Sequence, residues 1–278
     1  MRPTGPLFDA LAAALRAEEP VALVEVVEGP EELFGGKLVV RPGADPVALG
    51  SLGDADLDRV VARDALGELA AGLSVTRHYG IHGEARARDV GVFIESFAPP
   101  PRMVIFGAVD FTAALARVAK VLGYHVTVCD ARPVFATRAR FPMADEVVVA
   151  WPDRHLAEIG STLGVRDAVC VLTHDPKFDV PAITAALATG VGYLGAMGSR
   201  RTTLEREDRL RDAGVDAGAL RRIMAPIGLD VGARTPEETA VSICAEIIAC
   251  RTGRAAPSLR DAHGPIHRDA MVATPSPG

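Results

Sequence analysis

The chain is predicted to be α/β, with a parallel sheet in its C-terminal part and a smaller α+β unit ahead of it. Three observations predict this. Beyond residue 102, short apolar runs alternate with segments of helical spacing, the pattern of a parallel sheet with helices on both faces. Before that point strands and helices do not alternate regularly. Between the two lies Ala98-Pro-Pro-Pro-Arg102, where three prolines exclude helix and interrupt a sheet. The expected divisions are 1–98, 99–252 and a tail over 253–278. That tail is rich in Pro, Ala and charge without any period, so it is expected to be disordered.

In the first unit, Leu7 to Leu15 has helical periodicity, and Pro20–Val27 and Lys37–Arg41 read as strands. Asp54 to Ala71 reads as a helix, followed by strands over Ser74–Tyr79 and Val90–Glu95. In the second unit, Met103–Phe106 is an apolar strand ending at Gly107. Phe111, Leu115, Val118, Ala119 and Leu122 then recur at helical spacing. Strands are expected at His125–Cys129, Glu146–Val149, Ala168–Leu172 and Val191–Leu194. Helices are expected at 153–162, Ile183–Ala188, 200–213 and 217–224. Thr235-Pro-Glu-Glu238 combines an N-cap, a proline at the first helical position and a capping-box glutamate, and opens a helix to about Cys250.

Composition narrows the function classes. The 278 residues are 49% hydrophobic, enough for a full core, and carry a net charge of −6 with no basic block, which argues against nucleic acid. Aromatic residues make up only 5%, so base-stacking platforms are scarce. No signal-like segment and no run of 18 apolar residues occurs, so a soluble, cytoplasmic protein without a membrane partner is expected. Cys129, Cys170, Cys244 and Cys250 are scattered in apolar segments and read as reduced core thiols. Metal-ligand spacing is absent; His263 and His267 fall in the tail.

The most informative run is Gly195-Ala-Met-Gly-Ser-Arg-Arg-Thr202, a glycine-bearing loop set against a helix start. Unpaired N–H groups and the positive end of the helix dipole gather there, which makes it a natural anion site. Arg200 and Arg201 add two cations that oppose the dipole. Glu205 can pair with Arg201 at i, i+4, whereas Arg200 has no acidic residue at i+3 or i+4. The candidate anion ligands are therefore Gly195, Gly198, Ser199, Arg200, Arg201 and Thr202. No Gly-x-Ser-x-Gly occurs, so Ser199 reads as an N-cap or phosphate ligand rather than a nucleophile.

Strand, turn and helix from Met103, with Asp130 ending the next strand, follow the Rossmann layout. The glycine fingerprint is broken, however. Gly107 holds its first position, but Val109 stands where backbone would approach a pyrophosphate. Asp110 follows, as a helix cap that would repel a diphosphate. The fold reading survives this, while NAD(P) binding is disfavoured. Asp130 reads as a solvated or ion-paired strand-end residue. His174, in Thr173-His-Asp-Pro-Lys-Phe-Asp179, reads either as an acid/base or donor at a strand's carboxyl end or as a loop residue of an Asp175-Pro turn. Asp130, His174 and Gly195 could face one another there. In Pro226-Ile-Gly-Leu-Asp230 a tight turn packing into the core is the plain reading, with Asp230 and Arg234 as an ion pair and Glu237 and Glu238 serving the cap.

Taken together these runs resemble the XdhC/CoxI family. The resemblance is carried by Tyr193–Thr202, Pro226–Glu238, Val241–Ile248 and Val126–Pro133, with Phe141-Pro and Ala144–Val147. It covers about residues 103–250. It implies an N-terminal XdhC/CoxI domain and a C-terminal Rossmann-like domain. It also implies an accessory, chaperone-like role for a molybdenum hydroxylase such as xanthine dehydrogenase, rather than a turnover enzyme. The resemblance further implies that the chain binds molybdenum cofactor, protects it during sulfuration and passes it to the apo-enzyme. The implied partners are the apo-hydroxylase and a cofactor sulfurtransferase, and a homodimer is open. The chain departs from the family pattern in two places. Gly50-Ser-Leu-Gly-Asp-Ala-Asp56 stands where a Gly-Gly-Cys-x-Glu run would supply a thiol, and Gly107-Ala-Val-Asp110 replaces Gly-Ala-Gly-His. Two other readings stay open: a nicotinamide-dependent oxidoreductase on the same fold, and an interaction-only partner that no longer holds cofactor.

Overall fold

A computed structural model describes residues 5–43 and 47–263. These divide into two compact units between Pro99 and Pro100, the segment from Leu259 counting with the first.

The first unit is built on an antiparallel sheet. Its strands are β1 (Val21–Glu28), β2 (Lys37–Arg41), β3 (Val47–Ser51), β4 (Val75–Tyr79) and β5 (Val90–Phe97), in the order β3-β2-β1-β5-β4. Two helices, α1 (Pro6–Arg16) and α2 (Ala55–Ala71), cover it. Alternation along β1 decides which residues meet which helix, because successive side chains point to opposite faces. Ala22, Val24 and Val26 pack with Leu57, Val61, Ala65 and Leu69 of α2. Val21 and Val39 pack with Ala14 of α1. Helix α2 starts where the Asp54 carboxylate accepts from Asp56 N (3.0 Å) and Leu57 N (2.9 Å), and it stops at Gly72 in the left-handed conformation. Strand β3 is not legible from the sequence pattern: it is an edge strand that includes Gly50, a poor strand former, and it owes its existence to pairing with β2.

The second unit holds a six-stranded parallel sheet. Its strands are β6 (Arg102–Phe106), β7 (His125–Cys129), β8 (Glu146–Val148), β9 (Ala168–Val171), β10 (Tyr193–Ala196) and β11 (Ile223–Met224). Their order, β11-β10-β9-β6-β7-β8, is the doubly wound Rossmann arrangement, which reverses between β6 and β9. The helices are α3 (Asp110–Val121), α4 (Pro152–Ile159), α5 (Pro176–Leu187), α6 (Arg200–Asp212), α7 (Ala217–Leu220) and α8 (Pro236–Thr252). Both faces of the sheet are buried at its centre, so β6 after Arg102 and β9 read as apolar runs. Met103 and Ile105 face α3 and α8, against Leu115, Ile243 and Ile247. Val104 and Phe106 face the other way, against Leu156 of α4, Ile183 of α5 and Leu210 of α6.

Three expectations are corrected here. The helix expected over 217–224 is one turn, α7, capped by Asp216, after which Ile223 and Met224 pair with Leu194 and Gly195 as an edge strand. That pairing satisfies backbone groups on β10 that would otherwise be left at a bare edge. Helix α5 begins at Pro176, not near Ile183, because Asp175 caps it by accepting from Lys177 N (3.1 Å). The helix over 153–162 ends at Ile159 and tightens to a 3-10 turn over Gly160–Thr162. Within the expected tail, residues 253–263 contain no helix or strand, and 264–278, with His267, lie outside the described residues.

Candidate functional site

In a parallel sheet of this kind ligands bind outside the carboxyl ends of the strands, near the reversal of strand order. Here that rim carries the loops after β6, β7, β9 and β10. Gly107 follows β6 with φ +109°, and its Cα lies so close to the loop after β9 that an added Cβ would stand 2.9 Å from Thr173 Cγ2 and 3.1 Å from Thr173 N. The expected helix cap at Asp110 is not formed: Val109 is the N-cap residue and the Asp110 side chain is 91% exposed. Thr112 takes over, donating its hydroxyl to Gly107 O while accepting from Val109 N (3.4 Å).

Asp130, at the end of β7, is buried and ion-paired. It accepts from Ala108 N (2.8 Å), Arg132 N (2.9 Å), Arg132 Nε (2.9 Å) and Arg132 Nη2 (2.8 Å). Burial alone would raise its pKa, but the Arg132 guanidinium and the two backbone N–H groups outweigh that and hold it below the usual carboxylate range. The acidic residue that a dinucleotide-binding protein offers to a ribose is spent here on tying the β6 and β7 loops together.

Gly195 is not part of the loop mouth. It lies inside β10, in register with Cys170 of β9, and an added Cβ would stand 2.5 Å from Ile227 Cδ1. It is a packing glycine, and the expectation that Gly195 would face Asp130 and His174 fails for that reason. The loop proper begins at Met197. Gly198 (φ +154°) lies against Thr202, and Ser199 caps α6, its Oγ accepting from Thr202 N (3.1 Å) and lying 2.9 Å from Thr202 Oγ1. Arg201 pairs with Glu205 (2.9 Å). Arg200 is exposed and has no ion-pair or hydrogen-bond partner among the described residues. The backbone N–H groups of Arg200 and Arg201 in the first helical turn are likewise free there.

Beneath this loop sits a group that helical periodicity alone does not single out. Arg206 is buried, with its side chain 3% exposed, and its Nη2 donates to Met197 O (2.6 Å) and Asp179 Oδ2 (3.1 Å). Asp179, in the first turn of α5, also accepts from the Thr173 hydroxyl. Nε and Nη1 of Arg206 find no partner. One cation thus braces the loops after β9 and β10 from below. The signal available in sequence was weak: an Arg on an otherwise highly charged helix, seven residues from Ser199.

The remaining candidates are dispersed. His174 is exposed in the loop between β9 and α5, without a hydrogen-bond partner among the described residues. Asp230 and Arg234 form no ion pair with each other; Arg234 N instead donates to Glu238 Oε2 (2.7 Å) in the box that opens α8. Glu237 pairs with Arg117 (3.0 Å). Gly228 N donates to Glu246 Oε2 (2.9 Å), which also accepts from Tyr193 OH (2.5 Å), so the Pro226–Asp230 turn is sewn into the core. The four cysteines are free thiols, three of them buried. Burial pushes Cys129 up to about 12, which leaves it inert at neutral pH. Among the described residues no group of three potential ligands is placed to hold a metal ion, and no helix is long and apolar enough to cross a membrane.

Comparison with known proteins assigns the second unit. A family model described as the XdhC Rossmann domain matches residues 103–247, more than half of the chain. The chain belongs to the XdhC family. It is similar to a probable xanthine dehydrogenase subunit of Bacillus subtilis, 35% identical over 164 residues, which cover 59% of this chain and 47% of that protein. It is also similar to the molybdenum cofactor insertion chaperone PaoD of Escherichia coli, 28% identical over 159 residues, 57% of this chain and 43% of that one. The chain thus spans less than half the length of these curated relatives. A solved xanthine dehydrogenase structure from Bacillus halodurans superposes with a TM-score of 0.51 over 90% of this chain and 97% of that one, at 21% identity, so the two share a fold.

Proposed function

We propose that this XdhC family member is an accessory protein in the maturation of a molybdenum hydroxylase, a cofactor-handling chaperone rather than a turnover enzyme. It receives the molybdenum cofactor, in concert with a sulfurtransferase in the cytoplasm, and delivers it to the apo-hydroxylase. The names of its relatives, one a molybdenum cofactor insertion chaperone and one a xanthine dehydrogenase subunit, support the reading. The observation that carries it on this chain is Arg200: an unpaired guanidinium at a helix start, beside free backbone N–H groups and the capped Ser199–Thr202 turn. A phosphate fits that chemistry, since charge-assisted bonds from arginine and N–H donors at a helix N-terminus both select anions. Gly198, Ser199, Arg200, Arg201 and Thr202 would hold the phosphate of the pterin. The cofactor itself supplies the molybdenum centre, and the buried thiols of this chain offer no ligand to it.

Replacing Arg200 and Arg201 together by alanine is expected to weaken binding of the phosphorylated pterin by tenfold or more, since a hydrogen bond to a charged group contributes about 1.5–3 kcal/mol. Calorimetry measures this, and far-UV circular dichroism confirms that the fold is kept. Arg200→Ala alone should account for most of the loss, because Arg201 is already engaged by Glu205. A double variant that binds as tightly as the parent would make the loop structural. A nicotinamide-dependent reaction is the weaker reading: Asp130 already accepts four hydrogen bonds, and Asp110 sits at the mouth of α3. An interaction-only protein is distinguished by purification without any fluorescent pterin after oxidation.

A further inference from the structure

Five side chains lie together along the carboxyl edge of the parallel sheet, apart from the Ser199–Thr202 turn. Trp151, the only tryptophan in the chain, ends the segment after β8 and lies against Phe178 in the first turn of α5, with ring centroids 4.9 Å apart at 42°. The Arg132 guanidinium lies 5.8 Å from the Phe178 ring and 4.5 Å over the Phe135 ring. Lys177 lies 4.8 Å from the Phe178 ring on the same turn. Phe178 is 6% exposed and forms the floor, whereas Trp151 (41%) and Phe135 (39%) are half-exposed, and the Arg140 guanidinium also lies 5.6 Å from the Phe135 ring. Arg132 is not a loose surface cation: two of its guanidinium nitrogens and its backbone N–H are fixed on the buried Asp130 carboxylate, so its plane is set before any ligand arrives.

We propose that this row is a stacking site for a planar heteroaromatic ring, a pterin or a nucleobase, carried by a phosphate-bearing ligand. Half-exposed aromatic faces interleaved with an oriented guanidinium give a ring both π contact and cation–π attraction, with little rotamer entropy left to lose. The position agrees with the chemistry. Phe178 follows β9, and the Arg200 loop follows β10, the neighbour of β9 in the sheet, so both lie on the same carboxyl edge. Asp130, fully engaged, leaves ring stacking rather than ribose recognition as what this edge can offer. The inference rests on the reading of the Arg200 loop as the phosphate site, and it adds which part of the ligand the rest of the edge holds.

The test is titration of the full chain with three probes: a 6-substituted pterin monophosphate, cytidine monophosphate and ribose 5-phosphate. Calorimetry gives affinity, and the fluorescence lifetime of Trp151 reports ring proximity. A ring-bearing probe is expected to bind tenfold or more tighter than ribose 5-phosphate and to shorten the lifetime saturably. Phe135→Ala and Trp151→Ala should each remove most of that advantage, measured by calorimetry, while leaving ribose 5-phosphate affinity unchanged. Both positions are surface-exposed, and thermal melts confirm folding. Preference for the pterin or for the cytidine probe names the ring; either supports a stacking site. Ring-bearing and ringless probes binding alike would overturn it, as would a Trp151→Ala protein with undiminished pterin affinity. If pterin phosphate binding falls with Arg200→Ala yet ignores Trp151 and Phe135, the cofactor reading stands and the stacking site falls. If no probe binds, both fall.

Discussion

Replacing Arg206 by methionine is expected to destabilise the second unit by about 3–5 kcal/mol, since removing one partner of a buried pair leaves the other charge uncompensated. For a unit of this size that is a fall in Tm of about 10 °C or more. The size of the effect follows from what Arg206 holds. Its Nη2 bridges Met197 O and Asp179 Oδ2, so one side chain joins the loop after β10 to the first turn of α5. Without it Asp179 keeps only the Thr173 hydroxyl. Removing both charges, with Asp179→Leu in the Arg206→Met background, should recover most of the loss, because the cost lies in the orphaned carboxylate. If the double variant is as unstable as the single one, packing by the Arg206 stem and not charge pairing carries the stability.

The same pair makes stability depend on pH. Burial pushes Asp179 up from 3.8 to about 6, against the opposing pull of Arg206. A carboxyl whose folded value exceeds its unfolded one binds protons on folding. Its favourable contribution is therefore complete below about pH 4 and is lost as pH rises to about 6. Urea melts of the parent across that window should show stability declining from this group, and Asp179→Asn should flatten the decline. Arg206→Met removes the cation that restrains Asp179 and should extend the decline to higher pH.

What the sequence made legible is what local chemistry encodes. The apolar runs of β6 and β9 are legible because both faces of a parallel sheet are buried, so no polar alternation interrupts them after Arg102. The start of α8 is legible because Thr235, Pro236 and Glu238 satisfy their own backbone locally. Arg201–Glu205 and the Ser199 cap are also local, at four and three residues' spacing, and the structure contains both. The remainder depends on neighbours distant in the chain. Gly195 stands beside Gly198 in sequence, but Ile227 occupies its missing side-chain space, and no local pattern reveals that. Asp110 looks like a cap because it opens an apolar helix, yet it is the first residue of α3, one position past the N-cap Val109, and Thr112 accepts from Val109 N instead. Arg206 is 27 residues from Asp179, and only the crossover of α5 brings them together. The row from Trp151 to Phe135 escaped a composition argument because so few aromatic residues suffice once three strand ends converge.

Substituting Gly107 by alanine is expected to cost about 2–4 kcal/mol, with two separable causes. A φ of +109° is disfavoured for any residue with a Cβ, and that Cβ would meet Thr173 Cγ2 at 2.9 Å and Thr173 N at 3.1 Å. Gly123 separates the two: its φ is +81° and nothing lies within 4 Å of its missing Cβ, so Gly123→Ala should cost only the conformational part, about 1 kcal/mol. The excess at Gly107 measures the close approach of the β6 and β9 loops. Thr173→Ser removes Cγ2 while keeping the hydroxyl that Asp179 accepts, so in the Gly107→Ala background it should restore part of the excess, though not the clash with backbone. The strain also reaches the ligand edge. Ala108 N is bonded to Asp130, and Asp130 orients Arg132, so pushing Gly107 away from Thr173 loosens the guanidinium above Phe135. Gly107→Ala should therefore weaken ring-bearing probes more than ribose 5-phosphate, an effect that Gly123→Ala does not share. Equal urea midpoints for the two glycine variants would remove the close approach as a cause, and with it the link from the first loop to Arg132.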